Sequence, residues 1–229
     1  MNDAHEARRM LRGHRYGALC TLSKKLDGYP FGSITPYLVD HDGSLLILIS
    51  TLAEHTKNIM HDPRVSLITH DQHDPHIQTQ GRVTFTGNAG LEPNRDQAGL
   101  RYLRYFPEAQ TYFSMHDFSF YRIRPVAIRY IGGFGKIHWI DMENYAVAQA
   151  KIFAQREELL LSEMNARQQD LMRQLLQQQH SVDATNLRAI GLDCDGIDVR
   201  GDEQICRLNF PEAITVPTLD ALASIKMGD

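Results

Sequence analysis

Residues 50–58 read Ser-Thr-Leu-Ala-Glu-His-Thr-Lys-Asn and gather hydroxyl, imidazole, ammonium and amide groups where a strand-like stretch gives way to a helix-like one. A helix start offers unbonded N–H groups, and with Ser50, Thr51, His55, Thr56, Lys57 and Asn58 beside them they make an anion site suited to a phosphate or a propionate. A capped helix with a solvated lysine gives the same pattern. Arg82, in Gln80-Gly81-Arg82-Val83-Thr84-Phe85, sits in strand-like sequence. There its planar fork can grip a carboxylate or phosphate with two bonds, or simply face water. A long strand candidate over Tyr121–Ile131 runs into Gly132-Gly133-Phe134-Gly135, where glycine permits positive φ and a close backbone approach to a ligand or partner.

Two histidine groupings carry less. His70, His73 and His76 recur at every third residue with Asp71 and Asp74 between them, and neutral imidazole is a common metal ligand. The segment is a polar loop containing a proline, and it is read as solvated rather than as a metal centre. His116-Asp117 places an imidazole beside a carboxylate, but neighbours on a strand face opposite sides, so the pair reads as a turn entering the next strand. G-x-S-x-G, P-loop and G-x-G-x-x-G patterns are absent, which removes the usual signals of serine hydrolases, NTPases and dinucleotide folds.

The elements that must position these groups are mostly short strands. Asn2 or Asp3 caps a first helix that ends at Gly13. Strand-like stretches Tyr16–Leu22, Phe31–Val39 and Ser44–Ser50, divided by Asp27-Gly28 and Asp42-Gly43, predict an antiparallel meander. A short helix stopped by Pro63 follows, then strands over Arg64–Thr69 and Gln78–Thr86, then a helix between Pro93 and Phe106. Many short strands with few helices between them favour a closed or partly closed barrel, because closure removes exposed strand edges. From about residue 141 the composition turns to Ala, Gln, Glu and Leu at helical spacing. Asn165 with Gln168 three residues on predicts a capping box that divides two helices. A three-stranded meander, Leu187–Leu192, Ile197–Val199 and Ile205–Phe210, and a last helix over Leu219–Lys226 complete the expected order. The fold class is therefore α+β: a barrel over residues 1–145 and a small α+β domain over 155–229.

Apolar residues make up 42% and charged residues 23% of 229 residues, the composition of a globular protein. The net charge of −4 comes without a basic block, so nucleic acid is not expected as a partner. Cys20, Cys194 and Cys206 are too few and too scattered for a disulfide framework and are read as small buried residues of a protein in a reducing compartment. A polar N-terminus and the lack of a long apolar run predict a cytoplasmic protein with no membrane partner.

The order of segments ARRMLRGHRYGALCTL, STLAEHTKNIMHDPRVSL, GRVTFTG, HDFSFYRIRP and IGGFGKIHWI resembles the heme-utilisation branch of the pyridoxamine-phosphate-oxidase-like, FMN-binding split barrels, over about residues 5–140. The remainder, with GLDCDGIDVRGDEQICRLNFPEAI, is similar to the small domain that accompanies this barrel in bacterial members and in plastid relatives that bind glutamyl-tRNA reductase. The resemblance implies a homodimer with paired clefts at its interface. In flavin-binding members the residues matching Ser50, Thr51, His55, Thr56, Lys57 and Asn58 hold the FMN phosphate. In heme-degrading members an arginine matching Arg82 lies near a propionate, the loop matching Gly132–Gly135 lies against the macrocycle, and an aspartate matching Asp117 assists oxygen chemistry as a catalytic group. Their axial histidine follows the glycine loop, where this chain offers His138 and His180. One departure concerns the pair Met164-Asn165, followed here by Ala166-Arg167 where the family often has an acidic residue and a histidine. Three readings follow: a heme-binding, heme-using or heme-degrading protein; an FMN-dependent oxidoreductase; and a cofactor-free regulatory protein that docks a protein partner through its C-terminal domain.

Overall fold

The computed structural model describes residues 2–71, 80–133 and 136–225, which divide into two compact units, Asn2–Ala146 and Val147 onward. The elements of the first unit are α1 (Asp3–Gly13), β1 (Tyr16–Leu22), β2 (Pro30–Pro36), β3 (Leu38–Val39), β4 (Leu45–Ser50), α2 (Glu54–His61), β5 (Arg64–His70), β6 (Arg82–Leu91), α3 (Arg95–Tyr105), α4 (Gln110–Phe113), β7 (Phe118–Ile131), β8 (Ile137–Ile140) and α5 (Met142–Tyr145). Its antiparallel sheet has the order β2-β1-β5-β6-β7-β4-β3, with β8 added to β7. The fold is α+β, as its sequence predicts.

Alternation explains the curl of this sheet. Leu19, Ile47, Val65, Leu67, Val83, Phe85, Ile123 and Ile128 come from five strands yet form one buried cluster, which a flat sheet cannot achieve. Burying each such side chain stabilises by about 1.5–3 kcal/mol. Helix α1 adds Ala4, Ala7 and Leu11 to the same cluster, and the Asn2 side chain caps it by accepting from the Ala4 N–H at 3.0 Å. Asp27 and Gly28 both take positive φ between β1 and β2, the backbone that a two-residue hairpin turn demands.

The expected three-strand meander is not what forms. The stretch predicted as one strand over Phe31–Val39 divides at Pro36-Tyr37: β2 pairs with β1, whereas β3 pairs with β4. Pro36 has no N–H to continue a ladder, and Tyr37 is fully buried with its hydroxyl donating to the Leu11 carbonyl at 2.8 Å. β4 thereby leaves the β1–β2 hairpin and takes β7 as its second neighbour.

The 14-residue β7 organises the rest. β6 runs along almost its whole length, β4 flanks its first half and β8 its second, with an irregularity at Thr86/Gly87.

The second unit packs α6 (Ala150–Arg167) and α7 (Gln169–His180) on a sheet of order β11-β10-β9, formed by β9 (Leu187–Asp193), β10 (Gly196–Gly201) and β11 (Gln204–Asn209). The predicted capping box is not formed. Gln168 stands at the cap position without a side-chain capping bond, its Nε2 donating instead to the Leu219 carbonyl at 3.0 Å, while Asn165 accepts from the Ala189 N–H at 2.7 Å and donates to its carbonyl at 3.0 Å. An amide with both a donor and an acceptor can take a strand's backbone as readily as a helix end. Arg207, 6% exposed, lies among Asp193, Asp195 and Asp198, which are exposed by 2% or less. It donates to Asp193 at 2.7 and 3.1 Å and to Asp198 at 2.9 Å. The predicted terminal helix is a short 3-10 turn over Leu219–Ser224, and 226–229 lie outside the described residues.

Candidate functional site

The run from Ser50 to Asn58 does not converge on one point. Ser50 Oγ donates to Asp117 Oδ2 at 2.6 Å, and the Thr51 N–H donates to the Asp117 carbonyl at 2.8 Å. Asn58 is fully buried, donating to Thr21 Oγ1 at 2.9 Å and accepting from the Lys24 N–H at 3.0 Å. Thr56 is equally buried. His55 Nδ1 lies 3.1 Å from Ser33 Oγ, and burial pushes its pKa below the ordinary histidine value. Lys57 is half-exposed, with Nζ 3.8 Å from Glu54 on its own helix. Two of the six residues are thus buried, only Asn58 of them bracing its neighbours through hydrogen bonds, and the Ser50 hydroxyl donates to a carboxylate.

Asp117 and Ser50 sit at the first end of β7, where Ser50 pairs with Phe118. Arg82 and the glycine loop sit at the other end, where Arg82 pairs with Ile131. The thirteen-residue spacing on one strand amounts to roughly 40 Å if straight. A single chain therefore does not gather both expected halves of the cleft.

Around Arg82 two rows of residues cross the outer face of the sheet. One row runs His70, Arg82, Ile131, Ile137, and the other Ile34, Ala18, Ile68, Thr84, Arg129, Trp139. Strand alternation puts these on one face, because the residues between them, such as Thr69, Val83, Ile128 and Tyr130, are buried on the other. Trp139 is 67% exposed and Ile137 51%, and the Arg129 guanidinium carbon stands 5.1 Å from the indole centroid, within cation–π range. Arg82 is half-buried, with Nη1 3.4 Å from the Gln80 carbonyl. The result is an exposed patch of apolar side chains beside two guanidinium groups. It suits a planar ligand bearing anionic groups.

The turn beyond β7 needs its glycines. A Cβ on Gly132 would meet Tyr130 Oη at 2.6 Å, and Gly133 has φ 103°, a value L side chains rarely adopt. Phe134 and Gly135 lie outside the described residues, as do His73 and His76. His138 pairs with Tyr130 across the strands, which turns it to the inner side of β8, and its Nδ1 lies 3.5 Å from Asp3. His180 belongs to the second unit, with Nε2 3.0 Å from the Arg207 carbonyl.

Sequence reasoning missed Arg129, Ile137 and Trp139, and it set His70 aside with its loop. The available signal was the chain's one tryptophan, lying in strand-like sequence just past a glycine loop. Cys194 and Cys206 are buried as expected, while Cys20 is only half-buried. Asp193, Cys194 and Asp195 have ligand-type atoms within 4.8 Å of one another, beside the Arg207 that neutralises part of that charge. Among the described residues no helix is long and apolar enough to cross a membrane.

Residues 1–147 match the family described as CREG, beta-barrel. The chain belongs to the CREG β-barrel family. This CREG barrel and the unit behind it are 32% identical, over 221 residues, to the chloroplast heme oxygenase HOZ of Arabidopsis thaliana, a match spanning 92% of this chain and 68% of the relative. Among solved structures the chain is similar to a protein of unknown function from Agrobacterium tumefaciens, with a TM-score of 0.79 and 25% identity over 96% of this chain and 93% of that one. A heme binding protein from Mycobacterium smegmatis has the same fold, with a TM-score of 0.60 and 24% identity over 98% of this chain and 94% of that one. The segment order that suggested a split barrel over residues 5–140 thus falls inside the matched family region.

Proposed function

We propose that this protein binds and uses heme as a homodimer, with the macrocycle on the face carrying Arg82, Arg129, Ile137 and Trp139. The observation that carries this reading is that face itself, in which an exposed indole and an exposed isoleucine lie beside two guanidinium groups. A planar macrocycle needs the first pair and its propionates the second. The heme oxygenase name of the plastid relative points the same way. The separation of Asp117 from Arg82 along β7 favours a dimer, because a two-fold axis can bring the Asp117 end of one copy toward the Arg82 end of the other.

Bound heme supplies an iron centre for oxygen chemistry. The chain's own contribution is narrower. Arg82 holds a propionate, the Gly132-Gly133 turn joins β7 to β8 so that Arg129 and Trp139 lie side by side, and the Asp117–Ser50 pair can hold or pass a proton at Asp117 Oδ2. That last pair favours heme degradation as the second step of the reading. FMN fits less well, since Ser50 donates to Asp117, Asn58 is internal and Lys57 lies beside Glu54. A phosphate would have to displace the first of these bonds and approach its carboxylate.

Hemin titration tests the proposal. The purified protein is expected to develop a shifted Soret band at one heme per site, weakened at least tenfold by Arg82→Ala, and to run as a dimer in light scattering. A Soret band insensitive to Arg82→Ala, or thermal stabilisation by FMN but not hemin, would overturn it.

A further inference from the structure

We infer that Arg129, steered by Trp139, is the second cation of this face, so that the site recognises a flat tetrapyrrole through two carboxylates, whether or not iron is present. The inference rests on the heme reading and deepens it. Arg82 and Arg129 are diagonal neighbours on adjacent strands, since Arg82 pairs with Ile131 and Arg129 with Thr84. Their backbones are therefore about 7–8 Å apart on the same face, a spacing that two long side chains can match to the paired propionates on one edge of a porphyrin.

Arg129 is also directed. Its guanidinium carbon lies over the Trp139 ring, 5.1 Å from the centroid. A guanidinium held over a ring still has N–H groups to offer, and these are the groups that make two bonds to a carboxylate. The remaining indole and Ile137 side chain give the macrocycle an apolar bed. Within this unit the histidine that follows the glycine turn is turned away from the face: His138 pairs with Tyr130 on the inner side of β8, its Nδ1 3.5 Å from Asp3. His70 does lie on the face beside Arg82, so iron ligation is the competing source of affinity that the experiment must separate.

Trp139 is the one tryptophan of the chain, so its emission reports this face alone. The full-length protein is titrated with hemin, with metal-free protoporphyrin IX and with protoporphyrin IX dimethyl ester, following Trp139 quenching and the Soret band. The two diacids are expected to bind within about fivefold of each other, with stoichiometric quenching, and the diester roughly tenfold or more weaker. Arg129→Gln should weaken both diacids about tenfold and leave the diester unchanged, with the circular dichroism spectrum retained as the check on folding. Hemin binding more than about thirtyfold tighter than the metal-free diacid would place the affinity in iron ligation and overturn the inference. So would diacid binding unaffected by Arg129→Gln. If neither diacid binds at all, the heme reading fails with it; if hemin binds without quenching Trp139, only the two-cation inference fails.

Discussion

Replacing Arg207 by methionine should separate the behaviour of the two units. Arg207 is buried against Asp193, Asp195 and Asp198 and makes three bonds to two of them, at 2.7, 3.1 and 2.9 Å. Burial is the largest single effect on Arg207 and lowers its pKa, but the three carboxylates around it together outweigh burial and hold the pKa above its ordinary value. Methionine nearly conserves the volume but leaves those carboxylates in a dry site without their counter-charge. Breaking a buried pair in this way costs about 3–5 kcal/mol. A unit of roughly 80 residues has about 4–12 kcal/mol of stability in total, so the substitution removes about a quarter of it or more, corresponding to a fall in melting temperature of about 12–40 °C. Two probes tell the units apart. Far-ultraviolet circular dichroism reports the helices of both units, α6 and α7 together with α1–α5, while tryptophan emission reports Trp139 in the first unit alone. The part of the helical signal that belongs to α6 and α7 is expected to melt early, giving a two-step transition, while the emission holds its wild-type midpoint. A loss under about 1 kcal/mol would refute the buried-charge argument, and simultaneous loss of both signals would refute the independence of the units.

Asp40 should set part of the acid sensitivity of the first unit. Burial opposes its ionisation, but a hydrogen bond from His41 and the charges of Arg101 and Arg122 outweigh it and hold the carboxyl well below its ordinary value. A depressed folded pKa contributes stability above the unfolded value of 3.8, and that stability is lost as pH falls below it. Denaturant titrations should therefore show Asp40→Asn less stable than wild type at neutral pH, with the two converging below about pH 4. Gly133→Ala forces an L side chain to φ 103° and should cost about 1–3 kcal/mol, accompanied by a shift in Trp139 emission as the β7–β8 turn adjusts; an unchanged midpoint in urea would contradict the need for glycine there.

Much of the architecture was legible because alternation and turn chemistry are local. Tyr16–Leu22 reads directly as β1, and Asp27-Gly28 marks its turn. What was not legible depends on partners distant in sequence. Pro36 and Tyr37 break a run that looks continuous, and only the competition between β1 and β4 for that run explains the break. Asn165 has the spacing of a cap but serves β9 instead. At the site the same limit applies: Asp117 reaches Ser50 across 67 residues. Arg129 gains meaning only once β6 and β8 are known to flank it.

The placement of β7 has a consequence for how the molecule is made. β4 ends at Ser50, yet the strand that covers it begins at Phe118, and β6 waits for the same strand. During synthesis the first hundred residues thus leave the ribosome with two unsatisfied sheet edges: β4 waits for residues 118–123, and β6 is not fully paired until residue 131 has emerged. Contacts of such long sequence separation make for slow folding and leave an interval in which another chain's strand can take the vacant edge. Truncations ending before β7 should accordingly accumulate as aggregates rather than as smaller barrels.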